Sequence, residues 1–209
     1  ISAAKIAGKF LLDNKSKSKK IFQEIGRDIK LDLDRNTEKL IKKSLAHTGF
    51  AFLGEEFGGH LETNPTWVID PIDGTANYFK QLDQCCISIA LMTEEKSYIG
   101  VIYNFNSDDL YVATKGKGAF LNGESISVSD TNSRNKAFLT TGFPASESIE
   151  SSIEFLEDLR EWKKIRMFGS AALSCAYVAS GKCDFYSEKG VYLWDFAAGI
   201  CLVREAGGN

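Results

Sequence analysis

The chain has 209 residues, of which 44% are hydrophobic and 25% charged, the balance of an ordinary globular protein. Its formal net charge of -3 excludes the broad basic field with which proteins bind nucleic acid, and no apolar run approaches the ~20 residues that span a bilayer. The five cysteines are odd in number and lie in apolar surroundings, which indicates buried thiols in a reducing cytoplasm.

The first third of the chain predicts helices and short strands. Residues 1–13 have the pattern of an amphipathic helix, and residues 14–28 that of a basic, solvated connection. Residues 35–49 predict a second helix, with Asp34 or Asn36 near its N-cap and Gly49 at its end. Two apolar strands then end in acids, "FAFLGEE" and "TWVID".

The middle of the chain is rich in β-branched and aromatic residues separated by turn signals, which predicts an antiparallel meander. Its segments are 85–93, 98–104, 109–116 and 118–129. Strands and helices alternate after that, and a helix is predicted over 149–162. We therefore expect an N-terminal α+β half, 1–143, and a C-terminal α/β half, 144–209. Because the chain ends on a helix followed by Gly-Gly, we expect further residues beyond Asn209.

Acids recur where apolar segments end. They are Glu55, Glu56, Asp70, Asp73 and Asp195. Such ends lie at the rim of a core, where sites are usually built. Several carboxylates brought together repel one another unless a cation lies between them, and Mg²⁺ prefers hard oxygen ligands. The pattern therefore favours an oxygen-ligated metal site.

The stretch Asp70-Pro71-Ile72-Asp73-Gly74 fits such a site. Proline fixes one φ angle, so both carboxylates can face one point, and the Ile72 carbonyl can join them. Gly74 permits close approach of the backbone to a ligand, and "GTANYFKQ" predicts a helix whose first N–H groups face an anion. Taken alone, the same five residues are equally typical of a plain turn. A calcium EF-hand and a Walker A loop are excluded because their patterns do not occur.

Three motifs together resemble the inositol monophosphatase family: "GEE" at 54–56, "WVIDPIDGTANY" at 67–78 and "WDFAAG" at 194–199. The likeness extends to "KGKGAFLNG" and to residues 169–188. It implies an α+β fold, a layered αβαβα sandwich of the inositol monophosphatase and fructose-1,6-bisphosphatase type. It also implies a cytoplasmic, Mg²⁺-dependent, lithium-inhibited phosphoric monoester hydrolase that forms a homodimer.

The resemblance also implies roles for individual residues. Asp34, preferred to Asp32 for its spacing to Glu38, would work with Thr75 to orient the attacking water, and Glu55 would also serve catalysis. Gly74 and Thr75 would bind phosphate. The implied metal ligands are Glu55, Asp70, the Ile72 carbonyl, Asp73 and Asp195. The implied substrate-binding residues are Gly169, Ser170, Ala171, Glu188 and Arg166.

The chain departs from the family in one place. The family's mobile loop often carries a Lys-Ser-x-Pro stretch that helps to bind a metal, whereas "FQEIGRDIKLDLD" stands here. The number of Mg²⁺ ions, two or three, is therefore left open.

The expected reaction is hydrolysis of inositol 1-phosphate, or of a related polyol or sugar phosphate, by metal-activated water. Fructose-1,6-bisphosphatase and 3′(2′),5′-bisphosphate nucleotidase activities are the enzymatic alternatives, because the superfamily shares its metal core. A non-catalytic relative that binds a partner is the third. We expect a small phosphorylated substrate and neither nucleic acid nor a membrane as partner.

Overall fold

A computed structural model describes residues 1–17, 21–25, 28–94, 96–143 and 153–209. The helices in this part of the chain are α1 Ser2–Asn14, α2 Asp32–Leu45, α3 Thr75–Phe79, α4 Ile153–Asp158, α5 Ala171–Ala179 and α6 Leu193–Glu205. Short 3₁₀ turns occupy Ala46–Thr48, Arg134–Lys136 and Leu159–Glu161. Each described helix is too short or too polar to cross a membrane.

The strands form three sheets. The strands of the first half are β1 Ile21–Ile25, β2 Asp28–Leu31, β3 Ala51–Gly54, β4 Thr66–Asp73, β5 Cys86–Met92 and β6 Ser97–Asn104. Those that follow are β7 Asp109–Thr114, β8 Ala119–Leu121, β9 Glu124–Ile126, β10 Phe138–Thr140, β11 Lys164–Arg166 and β12 Phe185–Tyr186.

The largest sheet has seven strands in the order β3-β4-β5-β6-β7-β8-β9. Only the β3–β4 pair is parallel, and every later pair is antiparallel, so the predicted meander is confirmed. A second sheet has the order β11-β10-β12, with both pairs parallel. Strands β1 and β2 form an antiparallel hairpin.

Two hydrophobic cores cover the two faces of the large sheet. On one face, α1 and α2 pack on β4, β5 and β6 through residues such as Leu11, Ile41 and Ile87. On the other face, the small residues of α5 and α6, such as Ala176 and Ala198, pack against the sheet. Small side chains bring these two helices close to the strands and to each other. The three-stranded sheet lies beyond α5 and is joined to it by a hydrogen bond between the hydroxyls of Thr140 and Ser174, 2.8 Å apart. The layered α+β sandwich is thus confirmed.

Three predictions about local structure were wrong or incomplete. A β-hairpin occupies 21–25 and 28–31, where a solvated connection was predicted; residues 18–20 and 26–27 lie outside the described residues. Helix α2 begins at Asp32, so Asp34 lies in its first turn and not at the N-cap. Helix α4 covers only part of the 149–162 prediction, of which 149–152 lie outside the described residues.

Gly49 ends the second helical segment as predicted, with φ +73° in the left-handed region that favours glycine. All five cysteines are buried free thiols, which confirms the absence of a disulfide framework among them. The division at residue 143 stays a prediction.

Candidate active site

The site begins at an irregularity in β4. All eight residues of this strand are buried, and its pairing with β5 shifts between Asp70 and Asp73. The predicted turn is therefore a bulge inside a strand, because Pro71 donates no ladder hydrogen bond. The N–H of Ile72 donates to Asp70 Oδ1 at 3.0 Å, which fixes that carboxylate against the bulge.

Gly74 turns the chain from this bulge into α3. Its φ is +88°, and a Cβ there would lie 2.8 Å from the carbonyl oxygen of Gln84. Helix α3 starts at Thr75, whose hydroxyl lies 2.9 Å from the Ile72 carbonyl and 3.2 Å from Asp34 Oδ1. The first N–H groups of a helix have no acceptor within it, so this turn can meet an anion.

Asp34 reaches Thr75 from the start of α2. Its side chain is only 1% exposed, and Oδ2 accepts the Leu31 N–H at 2.6 Å. Burial, above all, raises the pKa of Asp34 well above its usual value, and the charges of Glu55 and Glu56 act in the same direction. The structure brings Asp34, and not the half-buried Asp32, to Thr75.

Five carboxylates surround the bulge and are called the acid cluster here: Asp34, Glu55, Asp70, Asp73 and Asp195. Asp70 is buried at their centre. Burial raises its pKa well above the usual value, and the negative charges of the other four members raise it further. Residues separated by more than 150 positions, from Asp34 to Asp195, thus lie close enough to Asp70 to repel it.

Asp73 joins the acid cluster to α5. Its carboxylate accepts hydrogen bonds from the Ser170 hydroxyl, from the N–H of Ala171 at 3.2 Å and from the N–H of Ala172 at 2.8 Å. The thiol of Cys86, at 3.6 Å, is a further donor. Burial still raises the pKa of Asp73, although these donors act against it. The start of α5 therefore holds a carboxyl group that lies 99 positions from Ala172 in the sequence.

Asp195 and Glu55 complete the acid cluster from two other elements. Asp195 lies in the first turn of α6, where Oδ2 accepts the Tyr192 N–H at 2.6 Å. Burial, followed by the charge of Asp73, raises the pKa of Asp195 to about 8. Glu55 follows β3, and its N–H donates to the Ile69 carbonyl at 3.2 Å, which ties the end of β3 to β4.

The side chains of the acid cluster do not form a closed ligand shell in this structure. Within the described part of the chain, no group of three or more His, Cys, Asp or Glu side chains converges as a metal site. The carboxylates of Asp34, Asp73 and Asp195 are instead turned towards N–H and hydroxyl donors. The donor set nevertheless fits a hard divalent cation, because the four acids whose charges repel Asp70 require positive charge between them.

The predicted substrate-binding residues separate into two groups. Gly169, with φ +68°, stands directly before Ser170 and Ala171, and Glu188 follows β12 with a pKa raised by burial. Asp73 adds to that rise, so Glu188 faces the acid cluster. Arg166 differs, because its exposed guanidinium lies 5.6 Å from the Phe138 ring and donates to the Ile165 carbonyl.

The sequence prediction missed two residues that shape the site. Glu38 is fully buried, and its Oε2 accepts the Glu56 N–H at 2.8 Å, which supports the acidic end of β3. Asn77 donates from Nδ2 to the carbonyls of Gln84 and Phe168, each at 2.7 Å. The four-residue spacing from Asp34 to Glu38, one turn of α2, was the available signal for the first. No such signal marks Asn77 in the sequence, because tertiary structure determines its hydrogen-bond partners.

Comparisons with known proteins agree on one family. The model of the "Inositol monophosphatase family" matches residues 1–209. The "Nus factor SuhB" of Xylella fastidiosa is 39% identical, over 100% of this chain and 78% of that protein. The "Inositol monophosphatase" of Dictyostelium discoideum is 37% identical, over 100% of this chain and 81% of that protein. The crystal structure of extragenic suppressor protein suhB from Bartonella henselae superposes with a TM-score of 0.90 at 35% identity, covering 99% of this chain and 83% of that one.

Proposed function

Because this chain belongs to the inositol monophosphatase family and is a phosphoric monoester hydrolase, we propose that it hydrolyses a small, hydroxyl-rich monoester, inositol 1-phosphate or a related polyol or sugar phosphate, with Mg²⁺. The observation that carries the proposal is the acid cluster around Asp70, which lies beside the Gly74 turn. Buried acids next to a turn that can face an anion suit a site for a metal and a phosphate.

Glu55, Asp70, the Ile72 carbonyl, Asp73 and Asp195 would hold the metal. Bound Mg²⁺ supplies the positive charge that the transferring phosphoryl group requires. The remaining groups act on the substrate and on water. The backbone N–H groups of Gly74 and Thr75 would bind the phosphate at the start of α3.

Thr75 and Asp34 would orient the attacking water. The Thr75 hydroxyl can donate to Asp34 Oδ1, 3.2 Å away, and so presents a lone pair that can accept a hydrogen bond from water. Burial raises the pKa of Asp34, which makes its carboxylate a stronger proton acceptor than an exposed one. The phosphoryl group would pass directly to water, with no covalent enzyme intermediate.

Glu188 would bind hydroxyls of the substrate, and residues 169–171 would meet the ring through their backbone. The Ser170 hydroxyl itself holds Asp73, so we assign it to positioning that acid. Arg166 is the one cationic side chain among the predicted substrate-binding residues and so the one that could pair with a second phosphate. Its place over Phe138 favours a monoester over the bisphosphate alternatives.

The test is phosphate release by the purified chain with Mg²⁺ from inositol 1-phosphate, fructose 1,6-bisphosphate and adenosine 3′,5′-bisphosphate. We expect the first to be the best substrate and Asp70→Asn to abolish turnover while circular dichroism stays unchanged. Asp130→Asn, at an exposed acid outside the acid cluster, is the matched control and should retain full activity. No release from any ester would favour the non-catalytic alternative instead.

Lithium inhibition, the number of Mg²⁺ ions, the homodimer and the cytoplasmic location stay predictions. A lithium titration of the same assay, calorimetric titration with Mg²⁺ and light scattering would test the first three.

A further inference from the structure

Glu188 is held at the end of a short parallel sheet. Strands β10 and β12 pair in register through Thr140 and Tyr186. Beyond that pair, the Ser187 N–H donates to the Thr140 carbonyl at 3.2 Å, and the Thr141 hydroxyl donates to the Ser187 carbonyl at 2.5 Å. Both backbone groups of Ser187, the residue before Glu188, are thus hydrogen-bonded. The position of the Glu188 carboxylate then depends on its side-chain torsions.

One oxygen of Glu188 is bound inside the protein. The Tyr186 hydroxyl donates to Oε2 at 3.1 Å. Burial, followed by the charge of Glu188, raises the pKa of Tyr186, so this hydroxyl keeps its proton and remains a donor. The other oxygen, Oε1, has no hydrogen-bond partner among the described residues. This oxygen can therefore accept a hydrogen bond from a hydroxyl group of a ligand.

The space for Oε1 exists because residue 142 has no side chain. A Cβ at Gly142 would overlap Oε1 and the carboxyl carbon of Glu188. Gly142 lies outside the left-handed region, so alanine is compatible with its backbone, and the collision is with the end of a flexible side chain. Alanine would therefore turn the Glu188 carboxylate away and leave the chain in place.

We propose that Tyr186 and Gly142 are positioning residues that fix the Glu188 carboxylate and thereby set the preference of the enzyme for phosphate esters that carry hydroxyls. Tyr186 holds one oxygen and Gly142 leaves room for the other. The inference rests on the proposed function, in which Glu188 binds substrate hydroxyls.

The experiment measures kcat and KM, with Mg²⁺, for inositol 1-phosphate and for phenyl phosphate, which has no free hydroxyl. In Tyr186→Phe and in Gly142→Ala we expect the ratio of kcat/KM values, inositol 1-phosphate over phenyl phosphate, to fall about 5- to 10-fold, the worth of one typical hydrogen bond. The change should lie in KM for inositol 1-phosphate, since the lost contact is made before and during the reaction.

Two controls separate positioning from loss of structure. Tyr103→Phe removes another tyrosine hydroxyl bound to a carboxylate, Asp108 at 2.8 Å, and should leave the ratio unchanged. In a Glu188→Ala background, which itself lowers the ratio, Tyr186→Phe should add less than twofold, because no carboxylate remains for the Tyr186 hydroxyl to hold.

An unchanged ratio in active Tyr186→Phe and Gly142→Ala enzymes would overturn the inference and leave the proposed function intact. Full additivity with Glu188→Ala would also overturn it. A wild-type enzyme that hydrolyses neither ester would contradict the proposed function itself. If one of the two variants fails to fold, as judged by thermal melting, the other still decides the matter.

Discussion

The seven-stranded sheet carries Asp70 and Asp73 on a strand whose eight residues are all buried, whereas the three-stranded sheet carries Glu188 just beyond a strand of only two residues. The first region has α1 and α2 on one face and α5 and α6 on the other. The second is held to α5 by contacts such as the Thr140–Ser174 hydrogen bond. Asp70 and Asp73, proposed for chemistry, thus lie in a sheet that helices cover on both faces. Glu188, proposed for recognition, lies in the smaller three-stranded sheet.

Asp73 lies on the seven-stranded sheet and is bound to the start of α5, the helix to which the three-stranded sheet is attached. Its replacement is therefore the strongest test of this comparison. In Asp73→Asn we expect kcat to fall about 10²- to 10³-fold, because a group proposed to hold Mg²⁺ loses its charge. The same change weakens its hydrogen bonds with Ser170 and the N–H groups of Ala171 and Ala172. Steady-state kinetics over a range of Mg²⁺ concentrations would measure the first effect.

Ser170→Ala is the matched control for Asp73→Asn, because it removes one donor and keeps the carboxylate. We expect a loss of activity of less than about tenfold, the worth of one typical hydrogen bond. Equal losses in the two variants would contradict the view that the charge of Asp73, and not its attachment to α5, supports catalysis.

Gly74→Ala tests how firmly the buried region fixes the phosphate turn. The substitution combines a φ of +88° with a Cβ that would lie 2.8 Å from the Gln84 carbonyl oxygen. We expect the free energy of unfolding to fall by about 2–3 kcal/mol, measured by urea denaturation. Gly49→Ala has φ +73° with nothing within 4 Å, so it should cost only about 1 kcal/mol. If both variants lose the same free energy, crowding at the turn contributes nothing.

Much of the buried region could be predicted from sequence. The meander β5 to β9 follows from alternating β-branched and aromatic residues between turns, and α6 from its acid in the first turn and small apolar residues. The bulge in β4 could not be predicted as such, since a bulge is defined by the strand opposite it. The attachment of Asp73 to Ser170 joins residues 97 positions apart, and no local pattern encodes such a pair.

Asn77→Ala tests the contact between the two regions. Nδ2 of Asn77 links α3 to the carbonyl of Phe168, next to the proposed substrate segment. We expect KM for inositol 1-phosphate to rise about 3- to 10-fold, with stability reduced by about 1–2 kcal/mol, because two carbonyls lose a donor. Asn14→Ala is the control, since Asn14 donates at 2.7 Å to the Phe10 carbonyl within α1. An Asn77→Ala enzyme that loses stability with an unchanged KM would restrict Asn77 to a structural role.

The smallest expected effect concerns the three-stranded sheet alone and depends on pH. Asp184 accepts the Phe138 N–H at 2.6 Å and the Ser129 hydroxyl, which ties the start of β10 to the chain before β12. Burial opposes ionisation of Asp184, but these donors outweigh it and lower its pKa. Since the folded pKa lies below the unfolded value, this stabilisation is complete above the unfolded pKa of ~3.9 and is lost as the pH falls through the folded pKa.

The comparison of wild type with Asp184→Asn isolates this contribution from that of the other acids. The difference in free energy of unfolding should be constant from about pH 7 to pH 5 and should shrink below about pH 4. Because Asp184 lies outside the acid cluster, activity at neutral pH should stay within twofold of wild type. A difference that grows as the pH falls would show that the sign assigned to Asp184 is wrong. A large loss of activity at neutral pH would show that the three-stranded sheet is coupled to catalysis more tightly than its contacts indicate.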